Sequence, residues 1–169
     1  MSTTSIFHTS AVNGSGFRAS PQLRVNLQQV LIDLVALHLL GKQAHWNVVG
    51  TNFRDLHLQL DEIVDIAREG SDTIAERMRA LDAVPDGLPE TVVTTTKLKT
   101  FPRGEQNTAA VVELISDRLR TTASTMRAVH DAVDAEDPST ADLLHALIDD
   151  IEKQRWMLSA ENRTAQRTR

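Results

Sequence analysis

The chain has 169 residues, 41% of them hydrophobic, which is enough for one domain with a buried core. Its formal net charge is −5 and it has no cysteine, so disulfides, thiolate metal ligands and a cysteine nucleophile are excluded. No apolar run is expected to reach the length of a membrane span, no secretory signal opens the chain, and the missing cysteines fit a reducing, cytoplasmic compartment. A multimer would multiply the negative charge, so any contact with DNA has to come from local basic segments.

Residues 1–20 are rich in Ser, Thr and Gly, with Arg18 their one charged residue, and read as a flexible tail. Ser20-Pro21 is a helix start, a cap followed by proline. Leu23, Leu27, Val30, Leu31, Leu34 and Leu37 then repeat at helical spacing, predicting a helix to about Val48 with Gly50 as its stop. Thr51 or Asn52 caps a second helix running to about residue 81, whose apolar stripe includes Phe53, Leu56, Leu60, Ile63, Val64, Ala67, Ile74 and Met78. Residues 83–106 contain Pro85, Pro89 and Pro102 and the run Thr94-Thr95-Thr96, a long crossover. A third helix is predicted over about Thr108–Asp134, then a turn at Asp137-Pro138-Ser139-Thr140, then a fourth helix to Glu161. No strand pattern emerges. Two helices on each side of a long connection make an all-α, ferritin-like four-helix bundle over residues 21–162, followed by a short basic tail, 163–169, with Arg163, Arg167 and Arg169.

Five residues carry the chemistry: His45, His57, Asp61, Asp72 and Glu76. His57/Asp61 and Asp72/Glu76 are i,i+4 pairs, so each pair lies on one helix face and can share a metal ion. Nitrogen with several carboxylate oxygens suits iron, manganese or zinc. A tight hairpin between the first two helices brings His45 to the His57/Asp61 pair. Asp61 and Asp72, however, are three turns apart, roughly 16 Å, so one helix cannot bring both pairs onto one ion. Two copies running antiparallel across a two-fold axis can, giving two equivalent shared sites. The ferritin-type Glu-x-x-His pair does not occur in the chain, which argues against a site inside the bundle.

The run Lys42-Gln43-Ala44-His45-Trp46-Asn47-Val48-Val49-Gly50, followed by Phe53, Leu56-His57, Asp61, Asp72 and Ala75-Glu76-Arg77, resembles the signature of Dps, the DNA-binding protein from starved cells. The resemblance implies a twelve-subunit cage with a ferroxidase site at the two-fold interface. His45, His57 and Asp61 would come from one subunit and Asp72 and Glu76 from its neighbour. It implies oxidation of Fe²⁺ to Fe³⁺, with hydrogen peroxide preferred and O₂ slower, storage of ferric mineral, and protection of DNA. It also suggests Trp46 as a sink for oxidising equivalents, and Asp134, Glu136, Asp137 and Asp142 as the lining of a three-fold pore that draws iron in. Arg77, next to Glu76, is read either as a partner that orients a ligand carboxylate or as a surface charge. Non-specific DNA binding would fall to the tails, placing the protein on the nucleoid. His130/Asp134 and Asp142/His145 form a second pair of metal-ligand spacings. Two other classes remain open: a nucleoid-packing protein whose metal only staples a dimer, and a zinc- or manganese-binding structural bundle.

Overall fold

A computed structural model of the chain describes residues 16–165. Helices α1 (Pro21–Asn47), α2 (Phe53–Ala80), α4 (Thr108–Glu136) and α5 (Pro138–Ala160) form a four-helix bundle. A short helix, α3 (Pro89–Thr95), lies within the crossover. The hairpin α1–α2 lies beside the hairpin α4–α5, with α1 against α4 and α2 against α5. The all-α bundle expected from the apolar periodicity is the observed fold.

The start of α1 follows from its sequence. Ser20 has extended backbone and its hydroxyl accepts from the Leu23 amide at 3.1 Å, while Pro21 takes the first helical position. The chain reverses after α1 at Gly50, whose φ of +118° is strained for any side chain. Asn52 occupies the cap position of α2 in left-handed conformation, yet its side chain caps nothing there; its amide donates to Glu161 at 2.9 Å.

The core is a single cluster. Leu23, Leu27, Leu34, Leu37, Leu60, Ile63, Ile74, Met78, Ile115, Leu119, Met126 and Leu144 are its largest fully buried side chains. Each such burial stabilises by about 1.5–3 kcal/mol before chain entropy is subtracted. Gly70 lets α2 approach α5: a Cβ there would meet Leu147 at 2.7 Å.

Several sequence expectations are corrected. Phe53 is exposed, because it stands at the first residue of α2, ahead of the packed stripe. Trp156 of α5 is also exposed. Helix α1 is in fact long and apolar enough by composition to cross a membrane, but 56% of that stretch is buried in the bundle and Asp33 sits in it. Strands β1 (Val48–Val49) and β2 (Gln106–Asn107), unforeseen, pair in parallel with Val48 opposite Gln106.

Residues 1–15 of the expected N-terminal tail, and Arg167 and Arg169 of the C-terminal one, lie outside the described residues. Residues 18–20 are docked. Arg18 pairs with Asp82 at 3.3 Å, and the Ala19 amide donates to the Leu81 carbonyl at 3.0 Å.

Candidate metal centre

His45 lies in the last turn of α1 and His57 in the second turn of α2, and the short reversal between the helices sets them face to face. Their rings stack with centroids 3.6 Å apart and 26° between planes. Asp61, one turn on from His57, closes the group: its Oδ2 is 2.9 Å from His45 Nε2. One ligand atom from each of the three lies within 4.8 Å of the others.

Tautomers follow from the remaining contacts. His57 Nδ1 lies 3.1 Å from the His45 carbonyl oxygen, which can only accept, so Nδ1 carries a proton and donates to it. His45 Nδ1 is buried without a hydrogen-bond partner. Burial lowers the His45 pKa, against the opposing pull of the Asp61 carboxylate, so the ring is neutral at neutral pH, the form that binds metal.

Lys42 escaped the sequence reading as part of this cluster. Its ammonium donates to Asp61 Oδ1 at 2.6 Å. Hydrogen bonding from Lys42, and then from His45, outweighs desolvation and holds the Asp61 carboxyl below the usual carboxylate range. The signal was present in the spacing: Lys42 is three residues before His45, on the same face of α1.

Asp72 and Glu76 are not part of this trio. Both are exposed on α2. Asp72 borders a cleft of about 410 Å³ shared with Leu31, Arg68, Glu69, Ser71 and Ala75. Trp46, beside His45, is 69% exposed. Arg77 turns away from both acids: its Nη2 donates to Asp137 at 2.7 Å and its Nε to the Thr140 hydroxyl at 2.8 Å.

Two of the four pore candidates are engaged within the chain. Glu136 accepts from the Ser20 amide and the Ser20 hydroxyl, both at 2.7 Å, and Asp137 accepts from Arg77 and Thr140. Asp134 and Asp142 are exposed. His130 and His145 meet with ring centroids 4.2 Å apart, but His130 contacts Asp131, at 3.2 Å, in place of the Asp134 that the spacing suggested.

A bundle of this topology with an imidazole–carboxylate centre at a hairpin end belongs to a recognised class. Residues 25–168 match the ferritin-like domain family. The chain is 35% identical over 135 residues to the DNA protection during starvation protein of Agrobacterium fabrum, covering 79% of this chain and 83% of that one. It is 34% identical over 134 residues to DNA protection during starvation protein 2 of Deinococcus radiodurans, of whose length it spans only 56%, against 79% of its own. The Dps of Microbacterium arborescens in its high iron form superposes with a TM-score of 0.77 at 31% identity, covering 86% of this chain and 98% of that one. The chain therefore belongs to the ferritin-like proteins and, within them, to the Dps mini-ferritins.

Proposed function

We propose that the chain is a ferroxidase subunit of a hollow homo-oligomeric cage, twelve subunits in the Dps arrangement, that oxidises Fe²⁺ and keeps the ferric product inside. The observation that carries this reading is the trio His45, His57 and Asp61, preassembled to within 4.8 Å on one chain, with Asp72 and Glu76 exposed further along the same helix. Across a two-fold axis those acids complete a neighbour's trio. The Microbacterium arborescens relative, described in a high iron form, supports iron as the metal handled.

The chemistry follows from the donor set. Two imidazoles bind Fe²⁺, and three carboxylates favour Fe³⁺ and so drive its oxidation. Two Fe²⁺ each give one electron to hydrogen peroxide, the preferred oxidant. The O–O bond breaks, and two hydroxides form without releasing hydroxyl radical. O₂ serves more slowly. Consuming peroxide and free Fe²⁺ together protects DNA, in a protein placed in the cytoplasm and on the nucleoid. Of the pore candidates, Asp134 and Asp142 are exposed, Asp142 with His145 Nδ1 4.0 Å away, and are the pair that would attract incoming iron. Trp46, exposed beside His45, is placed to take up stray oxidising equivalents.

The test is Fe²⁺ oxidation with added peroxide, comparing wild type with Asp72→Ala/Glu76→Ala, and size-exclusion chromatography on the same samples. Loss of at least about 100-fold in rate in an intact assembly is expected, since two of five ligands are gone. Oxidation at the wild-type rate in an intact assembly would overturn the assignment and favour a metal that only staples the dimer.

A further inference from the structure

The crossover segment Thr96–Gly104 contains Lys97, Lys99 and Arg103 and no acidic residue. All three are exposed. Their exposure is enforced by the residues between them. Leu98 is buried in the core, and Phe101 packs against it with the Arg118 guanidinium 5.5 Å from its ring centroid. With the apolar positions committed inward, the cations on either side point out.

The segment is also held rigidly. The Lys97 amide donates to Asp33 Oδ1 at 2.8 Å, and the Thr96 hydroxyl donates to the same oxygen at 2.9 Å. The Thr100 carbonyl accepts from Arg118 Nη2 at 2.5 Å. Asp33 belongs to α1 and Arg118 to α4, so the strap is pinned on both sides.

Charge compensation beside it is thin. Lys99, at 3.4 Å, and Arg120 share one carboxylate, Asp117. Beneath them Arg118, 2% exposed, spends its donors on the carbonyls of Leu114 and Thr100, and its Nε has no partner. Lys97, Lys99, Arg103, Arg118 and Arg120 thus have two carboxylates near them, Asp117, which Lys99 and Arg120 share, and the buried Asp33, with Glu105 beyond Gly104. The pair α2 and α5 carries the opposite balance, eleven acidic residues against six basic ones.

We propose that this strap, Lys97, Lys99 and Arg103 with Arg120 beside it, is a docking surface for the phosphate backbone of double-stranded DNA. The proposal rests on the DNA-protection half of the reading above and assigns it a place on the body of the chain. Lys97 to Arg103 spans up to about 20 Å, over which one DNA strand presents about six phosphates. Phosphate contacts of this kind are sequence-independent and salt-sensitive, and a cage repeats them on every subunit. The tails are poorer candidates. Residues 1–17 contain no Lys or Arg, and Arg18 is paired with Asp82. The C-terminal tail carries only Arg163, Arg167 and Arg169.

The test is fluorescence anisotropy of a labelled short duplex with the assembled protein across a potassium chloride series. Wild type is compared with Lys97→Gln/Lys99→Gln/Arg103→Gln, with the charge-keeping Lys97→Arg/Lys99→Arg, and with a chain ending at residue 162. The triple variant is expected to bind at least about tenfold more weakly with a shallower salt dependence. The Arg variant is expected to bind as wild type, and the shortened chain within about threefold of it. Undiminished binding by the triple variant, loss of binding on removing the tail, or no binding by wild type would each overturn the strap. Peroxide-driven iron oxidation on the same samples is unaffected by the strap changes, so failure of the DNA surface is separable from failure of the ferroxidase reading.

Discussion

The Thr125 hydroxyl of α4 donates to Asp33 Oδ2 of α1 at 2.7 Å, a hydrogen bond between two buried side chains from different halves of the bundle. Asp33 is 0% exposed, and its other oxygen accepts from Thr96, from the Lys97 amide and, at 3.3 Å, from Gln29. A buried carboxylate is tolerable only when satisfied in this way. Replacing it with alanine strands those donors. Asp33→Ala is expected to lose about 3–5 kcal/mol of unfolding free energy, read by urea denaturation, whereas Thr125→Val loses about 1–3 kcal/mol. Equal stability of Asp33→Ala and wild type would show that the crossover is held by its apolar anchors alone.

Sharing of the proposed iron site between chains has a direct test by mixing. Subunits carrying His57→Ala/Asp61→Ala and subunits carrying Asp72→Ala/Glu76→Ala are each expected to be inactive. Co-assembled in equal amounts, they regain about a quarter of the wild-type oxidation rate, because each mixed pair rebuilds one of its two sites. A site contained in one chain gives no recovery.

Lys42 holds Asp61 through a 2.6 Å contact that an incoming cation has to displace. Lys42→Gln removes that competitor. We expect it to tighten Co²⁺ binding, measured calorimetrically without oxidant, by up to about fivefold, the range of a partly exposed charge pair. Weaker binding would mean that Lys42 serves to orient the carboxylate for the metal.

The Arg77–Asp137 contact sets an acid limit. Burial pushes the Asp137 carboxyl up, but hydrogen bonds from Thr140 and Arg77 together with the Arg77 charge outweigh it and leave the pKa below the usual 3.8. A folded-state pKa below the unfolded one stabilises at pH above the unfolded value, and that stability is lost as pH falls through the folded value. The gap in melting temperature between wild type and Asp137→Asn is therefore expected to be constant from neutral pH down to about pH 5 and to narrow below about pH 4. A gap independent of pH would remove the charge from the account.

Much of the bundle was legible because its signals are local. Ser20-Pro21 and the leucine spacing of α1 fix a helix start within the chain's own next turn, and the apolar stripe of α2 repeats long enough to outvote single residues. The His57/Asp61 pairing and the proximity of His45 followed from helix geometry and one short reversal. What escaped depends on distant partners. A two-residue ladder such as β1–β2 has no periodicity to read and exists because Gly50 turns the chain back toward the entrance of α4. Arg77 was set beside the acids of its own helix, yet its guanidinium reaches Asp137 and Thr140, which only the packing of α5 on α2 brings near. Glu136 and Asp137 read as free acids because nothing in sequence reveals that Ser20 and Arg77 hold them.

The pairing of Val48-Val49 with Gln106-Asn107 makes the chain return to the point it left, beside His45. Everything between, α2 and the whole crossover, becomes a closed loop buttoned at its neck. A single cut by a protease in the loop around residues 82–88 would leave both pieces gripped by that button and by the core, so nicked protein should run as one particle until denatured. Extra residues inserted there would likewise be absorbed inside the loop, without lengthening the path between His45, His57 and Asp61.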